Sequence, residues 1–583
     1  MSLLYIVLPS AAILTVAYFT YGRLLAHLFR LNPDAKTPAH ELSDGIDFEP
    51  IAPSSLLPQH FSAIAAAGPI VGPIVAGLAF GWLPALIWII VGSIFIGGVH
   101  DFTSLVASIR HKARSIAEVV REHMTRRSYL LFLTFIWIAL IYIIVAFTDI
   151  TALAFLAQPS EETGGVGGGA VTTSSVLYLL ITFGMGYLMR YTNINRTVLL
   201  WSCLALVAGA IYLGTRMPFD LGATLDLSPA NARRVWNTLL LVYCLAAGVV
   251  PVWLLLQPRG ELGGYFLYAA LGAGALGLMF GGGTAQYPAF RGWEVTQDNG
   301  VVMSIFPLLF ITIACGACSG FHSLIASGTT SKQLRKETDA KLIGYGAMLM
   351  EAMVAIVSLS CVMMFAQGSP QLDPNKPNMV YAQGIGEFAF LLSKSQEVRA
   401  LGIAFALMAF TTFVYDTLDV CTRLGRFIIQ ELSGMHGLAG RWLGTALTAG
   451  IPLFFLLNQS SAPGAPPIWR VFWSLFGASN QLLAALTLLG ITVWLWQTRR
   501  EWWVWVVTGI PTVFMYIMST WALISITLPK FMGKTGWILP TDPVPWIGLI
   551  LLGLALLMLV EAAIVLLALG TPPSPKPKAA FAT

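Results

Sequence analysis

Charge is what this sequence has least of. Only 10% of its 583 residues are Asp, Glu, Lys or Arg, 56% are apolar, and the mean hydropathy is +0.75. Ordinary soluble domains carry about 25% charged residues, so the composition excludes a water-soluble globular chain and indicates an all-α integral membrane protein. Cysteine is equally sparse, and six scattered residues, mostly inside apolar stretches, build no disulfide framework. Cys315 and Cys318 have C-x-x-C spacing, yet no second pair and no His-x-x-His completes a ligand set, so no metal is expected. Gly316, Ala317 and Gly320 around them read as small residues that permit close helix packing. The eight histidines are dispersed and no nucleotide or cofactor fingerprint occurs, which speaks against an enzyme and gives no cofactor to assign. A membrane redox enzyme using paired histidines is the alternative from another class. The opening segment lacks a basic n-region and a small-residue cleavage site, so it reads as a retained span.

What the chain does have is long apolar runs. Stretches able to fill about 30 Å of hydrocarbon, at roughly 20 residues each, number about fifteen. They include 60 to 80, 83 to 110, 236 to 256, 262 to 283, 300 to 324, 342 to 366, 400 to 430 and 468 to 496. Residues 1–570 form one polytopic membrane domain on this reading, and 571–583 a flexible cytoplasmic tail. Residues 31–57, 158–172 and 367–399 read as solvated connectors. Basic residues then fix the threading. Placing Arg110, Lys112, Arg114, Arg121, Arg126 and Arg127 in the cytoplasm puts Lys332, Arg335, Lys336, Lys341, Arg423, Arg426, Arg441, Arg499, Arg500, Lys576 and Lys578 there too. The net charge of +5 therefore reflects orientation in a plasma membrane, not nucleic-acid binding, with the amino terminus outside and the carboxyl terminus inside.

Two Gly-Pro pairs, Gly68-Pro69 and Gly72-Pro73, interrupt the run 60 to 80. Each proline lacks an amide and clashes with the carbonyl four residues back, so the helix is expected to break at mid-depth. Irregular backbone at that depth persists only where it lines a cavity or is buried in protein, and secondary transporters use such discontinuous helices to meet a solute. Gly68, Pro69, Gly72 and Pro73 are accordingly substrate-binding candidates, since amino-terminal helix dipoles and free amides suit an anion. The expected partners are a small-molecule substrate and the lipid bilayer. Oligomeric state is left open.

The run from His60 through Gly68-Pro69-Ile70-Val71-Gly72-Pro73 to His100-Asp101-Phe102 closely resembles the carbon starvation protein A (CstA) family of bacterial transporters. Two further blocks, Cys315 to Ser323 continuing through Ser327-Gly328-Thr329-Thr330-Ser331-Lys332, and Leu475 to Ala484, are similar to the family's other signatures. Together they span roughly residues 45 to 490. Cys318 departs from the pattern, standing where an aliphatic residue is common, and the chain is shorter than the longest members, which implies fewer carboxyl-terminal helices. The resemblance implies uptake of pyruvate or short peptides under starvation, driven by a proton or sodium gradient. It also implies the inverted-repeat architecture of the amino acid/polyamine/organocation superfamily. Such a repeat needs two broken helices running in opposite directions. The candidates to mirror 60 to 80 are 236 to 256, interrupted at Gly248 and Pro251 five spans later, and 300 to 324, interrupted at Cys315 to Gly320 seven spans later. The superfamily favours the first, a LeuT-like core.

Ionisable residues inside spans narrow the site, because a charge at the bilayer centre costs about 2.5 to 3.5 kcal/mol on insertion scales. Asp101, Glu351, Asp416 and Asp419 are the ion-coupling candidates. Asp416, Asp419 and Arg423 share one helix face, and two carboxylates so close cannot both stay charged cheaply unless Arg423 compensates. An ion pair of Asp419 with Arg423 that braces the bundle is the competing reading. His322 and Ser319 beside the second break, with Asn480 and Gln481, are further substrate candidates, although the two amides can equally bridge helices. His60 and His100 are assigned to gating or structure, and Glu561 in the last span is a weaker candidate. Thr329, Thr330 and Ser331 keep sodium open as the coupling ion, and a passive channel remains a rival to coupled transport.

Overall fold

The computed structural model describes residues 1–44, 48–160, 165–251, 253–296, 302–435, 437–459, 467–533, 536–540 and 542–568. The expected tail at 571–583 lies outside them. Among the described residues, 13 helices are long and apolar enough to cross a membrane, and the bent pair Pro53–Ile64 and Gly68–Phe80 makes a fourteenth. Pro229–Val249, 21 residues long with Arg233 and Arg234 in its first turns, completes the number the loops call for. Large apolar side chains such as Leu180, Trp201, Leu206, Phe454, Ile510 and Leu556 stay exposed, as a shell facing acyl chains requires. At the centre runs Ile468–Thr498, which is buried across its whole apolar window. Among the described residues, strands are confined to two short antiparallel pairs, Glu294–Thr296 with Val302–Ser304 and Met532–Gly533 with Gly536–Trp537.

The first broken span bends by 45°. The break lies at Ala65 to Ala67, just ahead of the Gly-Pro pairs. Pro69 occupies the first turn of Gly68–Phe80, where a missing amide costs nothing, so the proline starts the second half-helix instead of interrupting it. Pro73 is accommodated inside that half-helix.

The second broken span comprises Ile305–Ile313, a tight turn at Ala314–Gly316, non-helical residues to Gly320, and Phe321–Gly328. It packs directly on the first. Gly68 abuts Cys315, and a Cβ on Gly72 would lie 2.6 Å from the carbonyl oxygens of Thr312 and Ile313, so only glycine lets these backbones meet. At one end His60 meets Thr330, and towards the other Gly72 meets Ile313, so the two spans run antiparallel. The partner of the first break is thus the seven-span candidate. The five-span candidate at 236–256 is one continuous helix, Pro229–Val249, that ends before Pro251.

Two connectors differ from expectation. Residues 367–399 contain Pro377–Ser393, a helix with Val380, Tyr381, Ala382, Ile385 and Phe388 buried against its neighbours. It is 17 residues long and interrupted by Gly384 and Gly386, which hid it from a search for full-length spans. Residues 31–57 contribute the start of Pro53–Ile64 and a bridge from Ile51 to Leu334.

Candidate functional site

Two unbroken helices deliver acids to the break. In Trp82–Arg110 a wide π turn at Ser93–Gly97 precedes Asp101, and in Glu337–Met363 a second one at Lys341–Gly346 precedes Glu351. A π turn inserts one residue and re-aims everything after it. Gly97 rests on the Ala317 carbonyl, and a Cβ on Gly344 would lie 2.9 Å from the Cα of Phe102, so both helices press against the break and against each other.

There Asp101, His322 and Glu351 form a row, each with no exposed surface. Asp101 accepts hydrogen bonds from Nδ1 of His100 at 2.7 Å and Nδ1 of His322 at 2.8 Å, one on each oxygen. With the Nδ1 proton of His322 committed to Asp101, its Nε2 faces Oε2 of Glu351 at 3.3 Å. A proton on Nε2 or on the Glu351 carboxyl would favour this contact, so the pair is a place where one proton can reside. The four side chains come from three spans and include three of the sequence candidates for coupling or substrate contact, with His100 as the second donor to Asp101.

Ser319, Asn480 and Gln481 also converge here, as a latch on the open backbone. Asn480 Oδ1 accepts from the Phe321 amide at 3.0 Å, its Nδ2 donates to Ser319 Oγ at 3.0 Å, and its carbonyl accepts from the Gly320 amide at 3.1 Å. Gln481 Nε2 donates to the Cys318 carbonyl at 3.1 Å. The two amides therefore satisfy groups that the missing helical turn leaves orphaned.

A second ionic cluster surrounds Arg259, which is fully buried. Its Nε lies 3.2 Å from Asp416 Oδ1, and its Nη1 pairs with Asp419. Tyr243 donates to Asp419 at 2.8 Å, Ser62 donates to Asp416 at 2.7 Å, and the guanidinium stacks over the rings of Tyr243 and Tyr415. Asp416 and Asp419 do share a face, but the cation bound between them is Arg259. Arg423 lies within electrostatic reach of Asp419 and donates to the carbonyls of Ala247 and Val250, both at 2.8 Å, closing the carboxyl end of Pro229–Val249 with Arg426 beside it. Arg259 escaped the sequence reading because the apolar run was begun at 262, whereas the helix is Leu256–Phe280 and takes Arg259 and Glu261 inside. A further pair, buried Asp149 with Arg233 at 2.7 Å, was missed because Arg233 lies ahead of the expected span 236 to 256, whereas the helix begins at Pro229.

Between the clusters a narrow cleft, partly open to solvent, is lined by Gln59, His60, Gln257, Thr329, Thr330 and Asp416 with apolar neighbours. His60 donates or accepts at Thr330 Oγ1 over 2.8 Å and lies within electrostatic reach of Asp101 and His322. Thr329 and Ser331 spend their hydroxyl protons on the carbonyls of Ile325 and Ser327. The cleft opens at the end of the bundle that carries Arg110, Arg114 and Lys332, because Ser108 there bonds to both Arg114 and Ser331. Glu561 lies apart from both clusters, accepting from Thr125 at 2.7 Å.

The family model described as carbon starvation protein CstA matches residues 2–380 and 369–522. The pyruvate/proton symporter BtsT of Escherichia coli strain K12 is 32% identical, covering 90% of this chain and 81% of its own length. The peptide transporter CstA of Helicobacter pylori strain J99 is 30% identical over 90% of this chain and 82% of its own, and that of Bacillus subtilis strain 168 is 29% identical over 89% of each. Among solved structures, an Eremococcus coleocola manganese transporter with an aromatic bis-isothiourea compound aligns at a TM-score of 0.49 and 15% identity, covering 90% of this chain and 98% of that one. MhsT in complex with L-phenylalanine aligns at 0.45 and 13%, covering 88% and 98%. With its family model and relatives matched over most of its length, this multi-pass membrane chain belongs to the carbon starvation protein CstA family.

Proposed function

We propose that this chain is a secondary active transporter that imports pyruvate or a short peptide across the plasma membrane, coupled to proton entry. The observation that supports the proton assignment is the row Asp101, His322 and Glu351, in which one imidazole stands between two buried carboxyl groups from different spans. Relatives named as a pyruvate/proton symporter and as peptide transporters support the substrate classes. We assign the Arg259 cluster, one cation held between two carboxyl groups, to bracing the bundle, with Asp416 forming part of the cleft wall. On this reading the cleft and the carboxyl terminus face the cytoplasm and the amino terminus faces outward. Sodium is the rival coupling ion. No cofactor enters the cycle.

The test is uptake into proteoliposomes under an imposed pH gradient, a sodium gradient, or neither, with pyruvate as substrate and di- and tripeptides as competitors. Accumulation against the solute gradient is expected only with an acidic exterior. Glu351→Gln and Asp101→Asn are expected to abolish accumulation. Glu351→Gln should keep pyruvate exchange, which needs no net proton release. Sodium-driven uptake at constant pH, or unchanged accumulation in both variants, rejects proton coupling through this row.

A further inference from the structure

Away from the spans, the chain turns sharply after Arg110. Lys112 and Ala113 both take positive φ, 58° and 54°, and the short helix Ile116–His123 folds back beside the helix it left. This corner brings the rings of His111 and His123 together at 85° to each other, with Glu122 beside them, and one ligand atom from each lies within 4.8 Å of the others.

The hydrogen bonds around the two rings decide their protonation. His111 Nδ1 lies 2.6 Å from the Ala107 carbonyl oxygen, which can only accept, so Nδ1 carries the proton. Gln497 donates its Nε2 to the His123 carbonyl at 2.8 Å, which orients the amide so that Oε1 faces His123 Nδ1 at 2.9 Å. His123 is therefore also protonated on Nδ1. Both Nε2 atoms are left with bare lone pairs, and they point at each other across 2.8 Å. Two lone pairs at that distance repel unless a cation lies between them. Imidazoles that donate Nδ1–H to an oxygen and offer Nε2 outward are the usual arrangement of metal-ligating histidines.

We propose that His111, His123 and Glu122 bind a divalent transition metal ion, Zn²⁺ by ligand type, with water in the fourth position. At metal–nitrogen distances of about 2.05 Å in a tetrahedral site the two nitrogens stand about 3.3 Å apart, so the rings part by roughly 0.5 Å to admit the ion. Glu122 is exposed and lies 3.6 Å from Arg114, from which it can swing to the metal. Trp494 packs on both rings and excludes water from one side. The bound ion staples the end of Trp82–Arg110 to Ile116–His123 and, through Gln497, to the end of Ile468–Thr498. That corner is pinned to the second broken span, because the Ile116 amide donates to Ser327 Oγ at 3.1 Å. The eleven residues between the two histidines gave no recognisable ligand spacing in the sequence.

The test uses full-length protein purified without a histidine tag and stripped with chelator. Zn²⁺ is titrated calorimetrically, and Co²⁺ is added as an optical probe. One ion per chain is expected, with the intense visible bands of tetrahedral cobalt. His111→Asn and His123→Asn should abolish both signals, while Gln497→Leu, which removes the orienting oxygen, should weaken affinity by about 10- to 100-fold. Melting of the metal-free variants at the wild-type temperature shows that they fold, and Glu122→Gln, on the surface, provides a second variant whose bands should shift. Absence of stoichiometric binding in the wild-type chain means that a shared proton, not a metal, sits between the rings, and overturns the proposal. Binding that survives His111→Asn and His123→Asn overturns it equally.

Discussion

Arg259 shows how much one side chain can decide and how little of that a linear reading reveals. It sits about 160 positions from its acidic partners, outside the expected span, and the arginine that was adjacent to them, Arg423, turned out to close a neighbouring helix. Spacing on one helix correctly put Asp416 and Asp419 on a shared face, but the cation came from another helix, and pairings between helices leave no local periodic trace. Removing one member of such a group strands the others: Arg259→Met leaves two buried carboxylates without their cation and should cost about 3–5 kcal/mol. The triple variant Arg259→Met, Asp416→Asn, Asp419→Asn removes all three charges and should melt closer to the wild type than the single variant does. Thermal unfolding in detergent reads the difference, and equal melting of single and triple variants would show that the ionic contacts are not what holds these helices. His322 was legible because it stood beside a visible break; its bonds to Asp101 and Glu351 required the fold.

At the scale of elements, the Gly-Pro pairs announced a discontinuity and located it within a few residues. The break fell at Ala65 to Ala67 because Pro69 suits a helix start, a positional preference that outweighs proline's general helix-breaking tendency. The glycines then serve contact between spans. A methyl group on Gly68 would collide with the side chain of Cys315, so Gly68→Ala should lower the melting temperature, and Cys315→Gly, which clears that space, should recover part of the loss in the double variant. Additive losses would mean that the two residues do not meet. The π turns before Asp101 and Glu351 had no readable signature, since the surplus residue follows from how Gly97 and Gly344 seat against neighbouring backbone.

Over the whole molecule, hydropathy and basic loops located the long crossing helices, because lipid imposes a length on every crossing. They missed Pro377–Ser393, too short to qualify and buried among other helices, and they left open which span mirrors the first break. Analogy favoured a separation of five spans, whereas direct packing of Gly72 on Ile313 makes it seven. The sidedness of the cleft gives a prediction at this scale. Gln59→Cys and Gln257→Cys, both on the cleft wall, should react with a membrane-impermeant maleimide in inside-out vesicles and stay protected in right-side-out ones, with added pyruvate slowing the reaction. The six native cysteines are buried and give a low background. Labelling from the opposite side would reverse the assigned topology.

His322 rides on a discontinuous element, while the acids on either side of it belong to continuous ones. On the proposed coupling, a tilt of that element changes both contacts, which ties occupancy by H⁺ to the posture of the pathway. By reciprocity, a solute that shifts the tilt would then shift the affinity for H⁺ by the same factor, and the exchange of work between the two gradients would hang on one imidazole's placement.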